Sequence, residues 1–334
     1  MSGANTSHAT ALHVASFDTS GSDWLASRVR RQIRETPDLP RPGGGETLER
    51  WRALARFGAE SLPLVKVMEA HYDALAILAE AGEPRPPADT LWAVWAAGGP
   101  TETVRYDAHA GRVSGIKPWC SGPQGLISHA LVTVAHDDRR PLAAITLAPG
   151  TFRLDASQWS GPGMVGVPTG EGHFSAAAAR LVSTPEFYLE RPGFWHGGAG
   201  IAACWFGAAT AIAERVRRSP GVSKNPFCAA HLGAIDAQLT AAQLMLRQLA
   251  RDIDRQPQDS HRYAVTGVRC FVDRVCRDVM ERAALALGPA SLCTDAEHAQ
   301  RCADLQAFIR QCHGQRDEQW LGEALHQAEG AWTL

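Results

Sequence analysis

Two short stretches of this chain contain residues whose side chains could bind a ligand or take part in catalysis. Gly-x-Lys-x-Trp-x-Ser-Gly spans residues 115–122, and a Leu-Glu-Arg sequence ends at Arg191. The indole of Trp119 could stack on a flat aromatic ring, while the Ser121 hydroxyl and nearby backbone amides could hydrogen-bond the polar edge of that ring. Glu190 supplies a carboxylate that could accept a proton. The alternatives are a packing role for Trp119 and an ordinary Glu-Arg pair at a helix start.

The elements that must position these residues fall into three parts. The first part has the pattern of helices, the second that of short strands, and the third that of long amphipathic helices. The predicted fold class is therefore α+β, with an N-terminal helical region, a central small β-barrel and a C-terminal antiparallel four-helix bundle. The predicted boundaries are a disordered tail over 1–20, a helical domain over 21–90, a barrel over 91–187, a bundle over 188–318 and a tail over 319–334.

Hydrophobic periodicity is the basis of this division. Apolar residues from Leu64 to Leu78 recur at three and four positions, which predicts one helical stripe. Between residues 91 and 181, six or seven short strands alternate with turn residues. Several strands are apolar on both faces, so we expect a sheet that is covered on both sides or closed into a barrel. In the bundle, one helix keeps a seven-residue apolar repeat from Leu232 to Ile253.

Composition argues against several classes of protein. The chain has 334 residues and a formal net charge of −2, so no strong attraction for nucleic acid is expected. Its eight cysteines include no Cys-x-x-Cys pair, which argues against a zinc ribbon or a thioredoxin-type site. The polar N-terminus has no signal-peptide pattern, and the longest apolar run, residues 199–213, is too short to span a bilayer. We expect a cytoplasmic protein with free thiols and no membrane partner.

The sequence predicts no metal site. His298 and Cys302 lie four residues apart on one predicted helix, which suits a pair of ligands, but no third ligand is placed beside them. Cys312 and His313 are adjacent, and adjacent residues on a helix face different directions. A thiolate pair is therefore not expected there.

The order of several motifs resembles the acyl-CoA dehydrogenase family over about residues 60–318. The 115–122 stretch is similar to the family's Gly-x-Lys-x-Trp-Ile-Thr-Asn-Gly, which lies in its barrel. The Leu-Glu-Arg sequence followed by Gly197-Gly198-Ala199-Gly200 resembles the start of the bundle in isovaleryl-CoA dehydrogenase. Two further similarities are Gly161-Pro-Gly163-Met164, near the end of the barrel, and Leu292-Cys-Thr-Asp295-Ala296 with Arg301 and Arg310, near the C-terminus.

This resemblance implies an FAD-dependent oxidoreductase that removes hydrogen from the α and β carbons of an acyl thioester or a related substrate. It makes Glu190 the base and Arg191 the residue that tunes or positions it. The implied flavin contacts are Trp119, Cys120, Ser121 and Gly122, and the implied substrate-pocket residues are Trp195 and His196. Family members usually form dimers or tetramers through the bundle, so a homodimer or homotetramer is expected.

Departures from the family pattern keep other functions open. Most members place the base on a loop before the last helix, where this chain has Ala303. The family's Thr-Glu-Pro-x-x-Gly-Ser-Asp stretch is replaced by residues 96–100, and its Arg-x-x-Phe-Gly segment, which grips the flavin pyrophosphate, is replaced by residues 222–227. A flavin-dependent monooxygenase of the same fold does not need the carboxylate base. A scaffold without cofactor is the third interpretation.

Overall fold

A computed structural model describes residues 20–328, so most of the predicted N-terminal tail and the last six residues lie outside the described part of the chain. The order of helices, strands and helices is as predicted. The helices are α1 (Ser20–Glu35), α2 (Thr47–Glu60), α3 (Leu62–Glu80), α4 (Phe187–Glu190), α5 (Pro192–Arg217), α6 (Gly221–Lys224), α7 (Pro226–Arg255), α8 (Arg262–Leu287), α9 (Ala290–Cys293), α10 (Ala296–Phe308) and α11 (Gln315–His326). The strands are β1 (Trp92–Trp95), β2 (Arg105–Asp107), β3 (Arg112–Ser121), β4 (His129–Thr133), β5 (Leu142–Thr146), β6 (Phe152–Asp155) and β7 (Thr169–Val182).

The strands form one sheet around the long β7. The order across the sheet is β1-β4-β5-β7-β3-β2, and β6 also pairs with β7. Only the β1–β4 pair is parallel among these pairings. Past the end of β4, Ala135 exchanges backbone hydrogen bonds of 3.0 Å with Tyr106 of β2 and with Val104 beside it. These bonds place the β2 edge of the sheet beside the continuation of β4, although the strand order among the described residues is that of an open sheet.

The helix α3 connects the N-terminal helices to the sheet. The Ser61 hydroxyl caps the helix by accepting a hydrogen bond from Leu64 N at 3.3 Å. Its predicted apolar stripe is buried, and Trp92 N of β1 donates to His71 Nδ1 on that stripe at 3.3 Å. Burial lowers the pKa of His71 to about 4, so the ring is neutral and can accept this bond. The start of the sheet is therefore fixed along α3.

The C-terminal bundle consists of the four predicted long helices, α5, α7, α8 and α10. A further helix, α11, follows and continues to His326, so the boundary predicted at residue 319 falls inside a helix. The buried faces of α5, α7 and α8 belong to the same core as those of α2 and α3. The N-terminal helices and the bundle thus share one hydrophobic core.

Two glycines allow α2 and α5 to approach closely. A Cβ atom at Gly58 would lie 2.2 Å from the Cys204 carbonyl oxygen, and one at Gly207 would lie 1.9 Å from the Ala55 carbonyl oxygen. Real side chains do not approach a backbone oxygen so closely, so both positions need glycine. Among residues 20–328, no helix is both long and apolar enough to cross a membrane.

Candidate active site

A cleft lies between the sheet and the bundle, with α3 as its floor. Its volume is about 400 Å³, which suits a small organic ligand. The walls come from α3, the end of β1, the start of α5, α8 and the segment that leads into α11. The lining residues are Lys66, Glu69, Ala70, Asp73, Val94, Ala96, Ala97, Tyr188, Arg191, Phe194, Trp195, Gly197, Gly198, Ile201, Thr266, Arg269, Gln311, His313 and Asp317.

The floor of the cleft carries two acidic side chains that the sequence analysis missed. Glu69 is only 8% exposed, and burial, reinforced by the nearby Asp73 carboxylate, raises its pKa to about 7. Lys66, one helical turn before Glu69, opposes this rise. Near neutral pH Glu69 is thus able both to give and to take a proton. Lys66, Glu69 and Asp73 follow one another at three and four positions, so this face of α3 has the sequence pattern of a solvated helix surface.

Arg191 lies in the cleft. It is 5% exposed and contacts two carboxylates of α3, with a nitrogen 2.8 Å from Glu80 Oε2 and another 3.9 Å from Asp73 Oδ1. The Arg191 Nε and the Asp73 Oδ1 have no hydrogen-bond partner among the described residues. Buried polar atoms of this kind usually have a partner, so both are available to a ligand.

Glu190 is outside the cleft. It is the exposed last residue of α4, and it does not line the cavity that Arg191 lines. The chain leaves helical geometry at Arg191, where φ is −61° and ψ is 137°, before α5 begins. Side chains 190 and 191 therefore leave the backbone in different directions. The role of Glu190 as a base stays a prediction.

The two residues predicted for the substrate pocket, Trp195 and His196, line different cavities. Trp195 lines the cleft, in edge contact with Phe194 at a ring separation of 5.4 Å. His196 is 1% exposed and lines a second, smaller cavity of about 200 Å³, where its Nε2 lies 2.8 Å from the Asp259 carbonyl oxygen. One residue further along a helix rotates the side chain by about 100°, which accounts for this separation.

The predicted flavin-contact stretch forms the end of β3, and a bulge shapes it. Regular pairing with β7 is interrupted between Lys117 and Cys120, so that Trp119 adopts a φ of 60° and its side chain is 58% exposed. Positive φ at a non-glycine residue costs about 1 kcal/mol or more. The bulge thus turns a large aromatic ring outward at an energetic cost, which is typical of functional positions.

The residues after Trp119 are held in place by the sheet. Cys120 is fully buried, and its thiol lies 3.3 Å from the Lys117 carbonyl oxygen. The Ser121 hydroxyl accepts a hydrogen bond of 2.9 Å from Thr169 Oγ1. Gly122 has a φ of 135°, and a Cβ atom there would lie 2.0 Å from Ile127 Cδ1.

Trp119 also lies close to the loop that leaves β1. A Cβ atom built at Gly99 would lie 3.6 Å from the Trp119 ring nitrogen. Ala97, two residues before Gly99, lines the cleft. The Trp119 indole therefore lies beside the loop after β1, but Trp119 is not among the residues that line the cleft.

Comparisons with known proteins agree with this architecture. Residues 180–316 match the family model described as acyl-CoA dehydrogenase, C-terminal domain. FMN-bound TdsC from Paenibacillus sp. A11-2 superposes with a TM-score of 0.74 at 15% identity, covering 91% of this chain and 96% of TdsC. Glutaryl-CoA dehydrogenase from Mycobacterium smegmatis gives a TM-score of 0.73 at 13% identity, covering 94% of this chain and 88% of its own. The protein has the acyl-CoA dehydrogenase fold, and the part of the chain that forms its bundle matches the family's C-terminal domain.

A third structure with the acyl-CoA dehydrogenase fold is similar over the same length. The 3-HSA hydroxylase from Rhodococcus sp. RHA1 has a TM-score of 0.66 at 14% identity, covering 94% of this chain and 97% of the hydroxylase. No curated protein matches the sequence. The predicted resemblance to the family and the predicted fold class are both confirmed.

Two of the motifs that carried the family resemblance meet in space. Met164 N donates a hydrogen bond of 2.5 Å to Asp304 Oδ1, which is buried in α10. A Cβ atom at Gly163 would lie 2.3 Å from the Ala303 carbonyl oxygen. Residues 303 and 304 therefore hold the loop after β6 against α10. In this chain that part of α10 has a packing role.

Proposed function

We propose that this protein is a flavin-dependent monooxygenase whose active site is the cleft between the sheet and the bundle. The observation that carries the proposal is that neither of the family's two base positions puts a carboxylate in the cleft, since Glu190 is exposed outside it and residue 303 is alanine. Abstraction of a proton from an acyl thioester needs an ionised base facing the substrate. With Ala303 at the family's other base position, oxygenation, which needs no such base, fits the site better.

The residues at the end of β3 and on the floor of the cleft would have separate roles in the reaction. A reduced flavin, when bound, supplies the electrons that activate molecular oxygen. The Trp119 indole would border the flat ring, and the Ser121 hydroxyl would hydrogen-bond its polar edge. Glu69, with its raised pKa, would exchange a proton with the substrate or product.

The walls of the cleft indicate the kind of substrate. Phe194, Trp195 and Ile201 give it an apolar, largely aromatic side. Arg191 and Arg269 add positive charge, and Arg269 is held in place by a bond of 2.9 Å to the Gln311 carbonyl oxygen. A small aromatic or otherwise apolar molecule that carries one anionic or polar group fits this arrangement.

The flavin itself need not be FAD, although the resemblance implied it. The family segment that grips the flavin pyrophosphate is replaced at residues 222–227. We therefore expect FMN to bind at least as tightly as FAD.

Flavin binding is tested by titrating the purified protein with reduced and oxidised FMN and FAD, using flavin fluorescence and absorption. We expect Trp119→Ala to weaken binding about tenfold, because it removes a stacking contact of roughly 1.4 kcal/mol. Trp24→Ala, on the exposed face of α1, is the control and should bind as the unaltered protein does. A protein that binds neither flavin is a scaffold, which contradicts the proposal.

The type of reaction is tested separately. With reduced flavin and ¹⁸O₂, candidate aromatic substrates should yield products that carry one labelled oxygen atom. Glu190→Gln should leave the rate of this reaction unchanged. The second candidate, dehydrogenation with Glu190 as the base, predicts instead that an acyl thioester bleaches the oxidised flavin without oxygen, and that Glu190→Gln abolishes the bleaching. The expected homodimer or homotetramer is measured by light scattering.

A further inference from the structure

Two cysteines and an aspartate meet at the edge of the cleft, where the chain enters α11. The Sγ atoms of Cys270 and Cys312 are 3.9 Å apart, and both residues are buried. Asp317 Oδ2 lies 3.8 Å from Cys312 Sγ. One side-chain atom from each of the three residues lies within 4.8 Å of the other two.

These distances match those between the ligands of a tetrahedral zinc ion. With zinc–sulfur bonds of about 2.3 Å and zinc–oxygen bonds of about 2.0–2.2 Å, two sulfurs are about 3.8 Å apart and a sulfur and an oxygen about 3.5 Å. A disulfide would instead require the two Sγ atoms to approach to about 2.05 Å. The observed spacing is therefore closer to that of two ligands sharing an ion than to that of a covalent pair.

A further possible donor, His313, lies beside Asp317 but outside this group of three. His313 Nδ1 lies 3.5 Å from Asp317 Oδ1, and the His313 backbone N–H donates to Asp317 Oδ2 at 3.1 Å. Residues 312–314 lie between a 3₁₀ turn and α11 and are not helical. Without helical geometry, neighbouring side chains at 312 and 313 can both approach Asp317. The sequence analysis excluded this pair by assuming a helix.

We propose that Cys270, Cys312 and Asp317 bind a divalent thiophilic cation, for which zinc is the chemical match, and that the exposed His313 side chain rotates toward the ion as the fourth ligand. Binding would release the two thiol protons to solvent as the thiolates coordinate the ion, with no change in oxidation state. Arg269, which hydrogen-bonds the Gln311 carbonyl oxygen, would offset the negative charge of three anionic ligands around one divalent ion.

The ion would join α8 to the start of α11. Gln311, His313 and Asp317 all line the cleft, so the ion would also fix one of its walls. This role does not depend on the flavin, and the site can be tested without any knowledge of the substrate.

The test uses the full chain, purified with a reductant and stripped of metal with a chelator. Competition between the protein and a chromophoric chelator should show one zinc bound per chain. Cys270→Ser and Cys312→Ser should each weaken zinc binding about 100-fold or more, and His313→Ala about tenfold. Cys293→Ser removes an exposed thiol elsewhere and is the matched control, with unchanged affinity. Cobalt should give a thiolate-to-metal charge-transfer band that both cysteine variants lose.

Several results would overturn this site. One is the absence of zinc uptake by the reduced protein, and another is an equal loss of affinity in Cys293→Ser. Recovery of a Cys270–Cys312 disulfide by mass spectrometry from reduced, zinc-supplied protein would also contradict it. If the cysteine variants do not fold by circular dichroism, Asp317→Asn tests the same ligand set, and unchanged zinc affinity in that variant rejects it.

Discussion

At the scale of single residues, the burial of Glu69 links the stability of the fold to pH. Its pKa is raised from 4.5 to about 7 in the folded state, so the folded protein holds this proton more tightly than the unfolded chain does. The contribution of Glu69 to the free energy of unfolding therefore falls as pH rises from about 4.5 to about 7. Above about pH 7 the full free-energy cost of burying the ionised carboxylate is present.

Glu69→Gln should therefore stabilise the fold above pH 7, by up to about 3 kcal/mol, and have little effect near pH 4. Denaturant unfolding at both pH values measures this difference. Glu323→Gln, an exposed position on α11, should change stability by less than about 0.5 kcal/mol at either pH. Equal effects of Glu69→Gln at the two pH values would show that the carboxyl is not held in its neutral form by burial.

Arg191 leads to a second prediction at this scale. Arg191→Ala leaves Glu80 and the partly buried Asp73 without their cation, and should cost about 3–5 kcal/mol. Arg139 pairs with Glu186 at a similar distance of 3.1 Å but is 61% exposed. Arg139→Ala should therefore cost less than about 1 kcal/mol. If urea unfolding gives the same loss for both variants, Arg191 does not have the buried, charge-balancing role that its position indicates.

At the scale of elements, the close contact between α2 and α5 holds the N-terminal helices against the bundle. Gly207→Ala places a Cβ atom against the Ala55 carbonyl oxygen and should force the two helices apart. A loss of about 2–3 kcal/mol is expected in thermal or denaturant unfolding.

Gly233→Ala is the matched control for this helix contact. Gly233 lies in α7, and a Cβ atom there meets nothing within 4 Å. Alanine has the higher helix propensity, so this variant should be more stable by up to about 1 kcal/mol. A loss of stability in Gly207→Ala together with a gain in Gly233→Ala would confirm that residue 207 must be glycine because the two backbones approach closely. Helix propensity would then not be the reason. Stabilisation by both substitutions would show that α2 and α5 have room to adjust.

At the scale of the whole molecule, the cleft depends on all three parts of the chain. Its walls come from α3, from the end of β1 and from α5 and α8, so a bound flavin would contact parts that are far apart in sequence. FMN at 100 times its dissociation constant should add about 2.7 kcal/mol to the free energy of unfolding. Thermal unfolding should then shift upward as one transition. An unchanged melting temperature at saturating FMN would contradict binding at this cleft.

Much of the architecture could be predicted from the sequence, because periodicity records which face of each element is buried. The stripe on α3 and the heptads of α7 depend on local spacing alone, and the predicted repeat from Leu232 to Ile253 lies within α7. The end of the bundle was less certain. The helix α11 buries little of its surface, so its pattern resembled that of a tail.

Single residues of the candidate site were predicted less well than its elements. Arg191 and Trp195 were placed at the cleft because their motif fixes the start of α5. Glu69 was missed, since a Lys-Glu-Asp series at helical spacing has the same pattern whether solvent or a cleft covers it. Contacts between distant segments determine which residues face the cleft. The spacing of residues along the sequence does not record those contacts.

The sequence by itself determined the order of helices, sheet and bundle and the resemblance of the bundle to a known family. Those features follow from local propensity, periodicity and short motifs. Only the tertiary structure decided that Glu190 faces away from the cleft, that Glu69 is buried in it, and that Cys270 meets Cys312 and Asp317. The physical reason is that burial and proximity, which set pKa values and ligand geometry, are properties of segments brought together from across the chain.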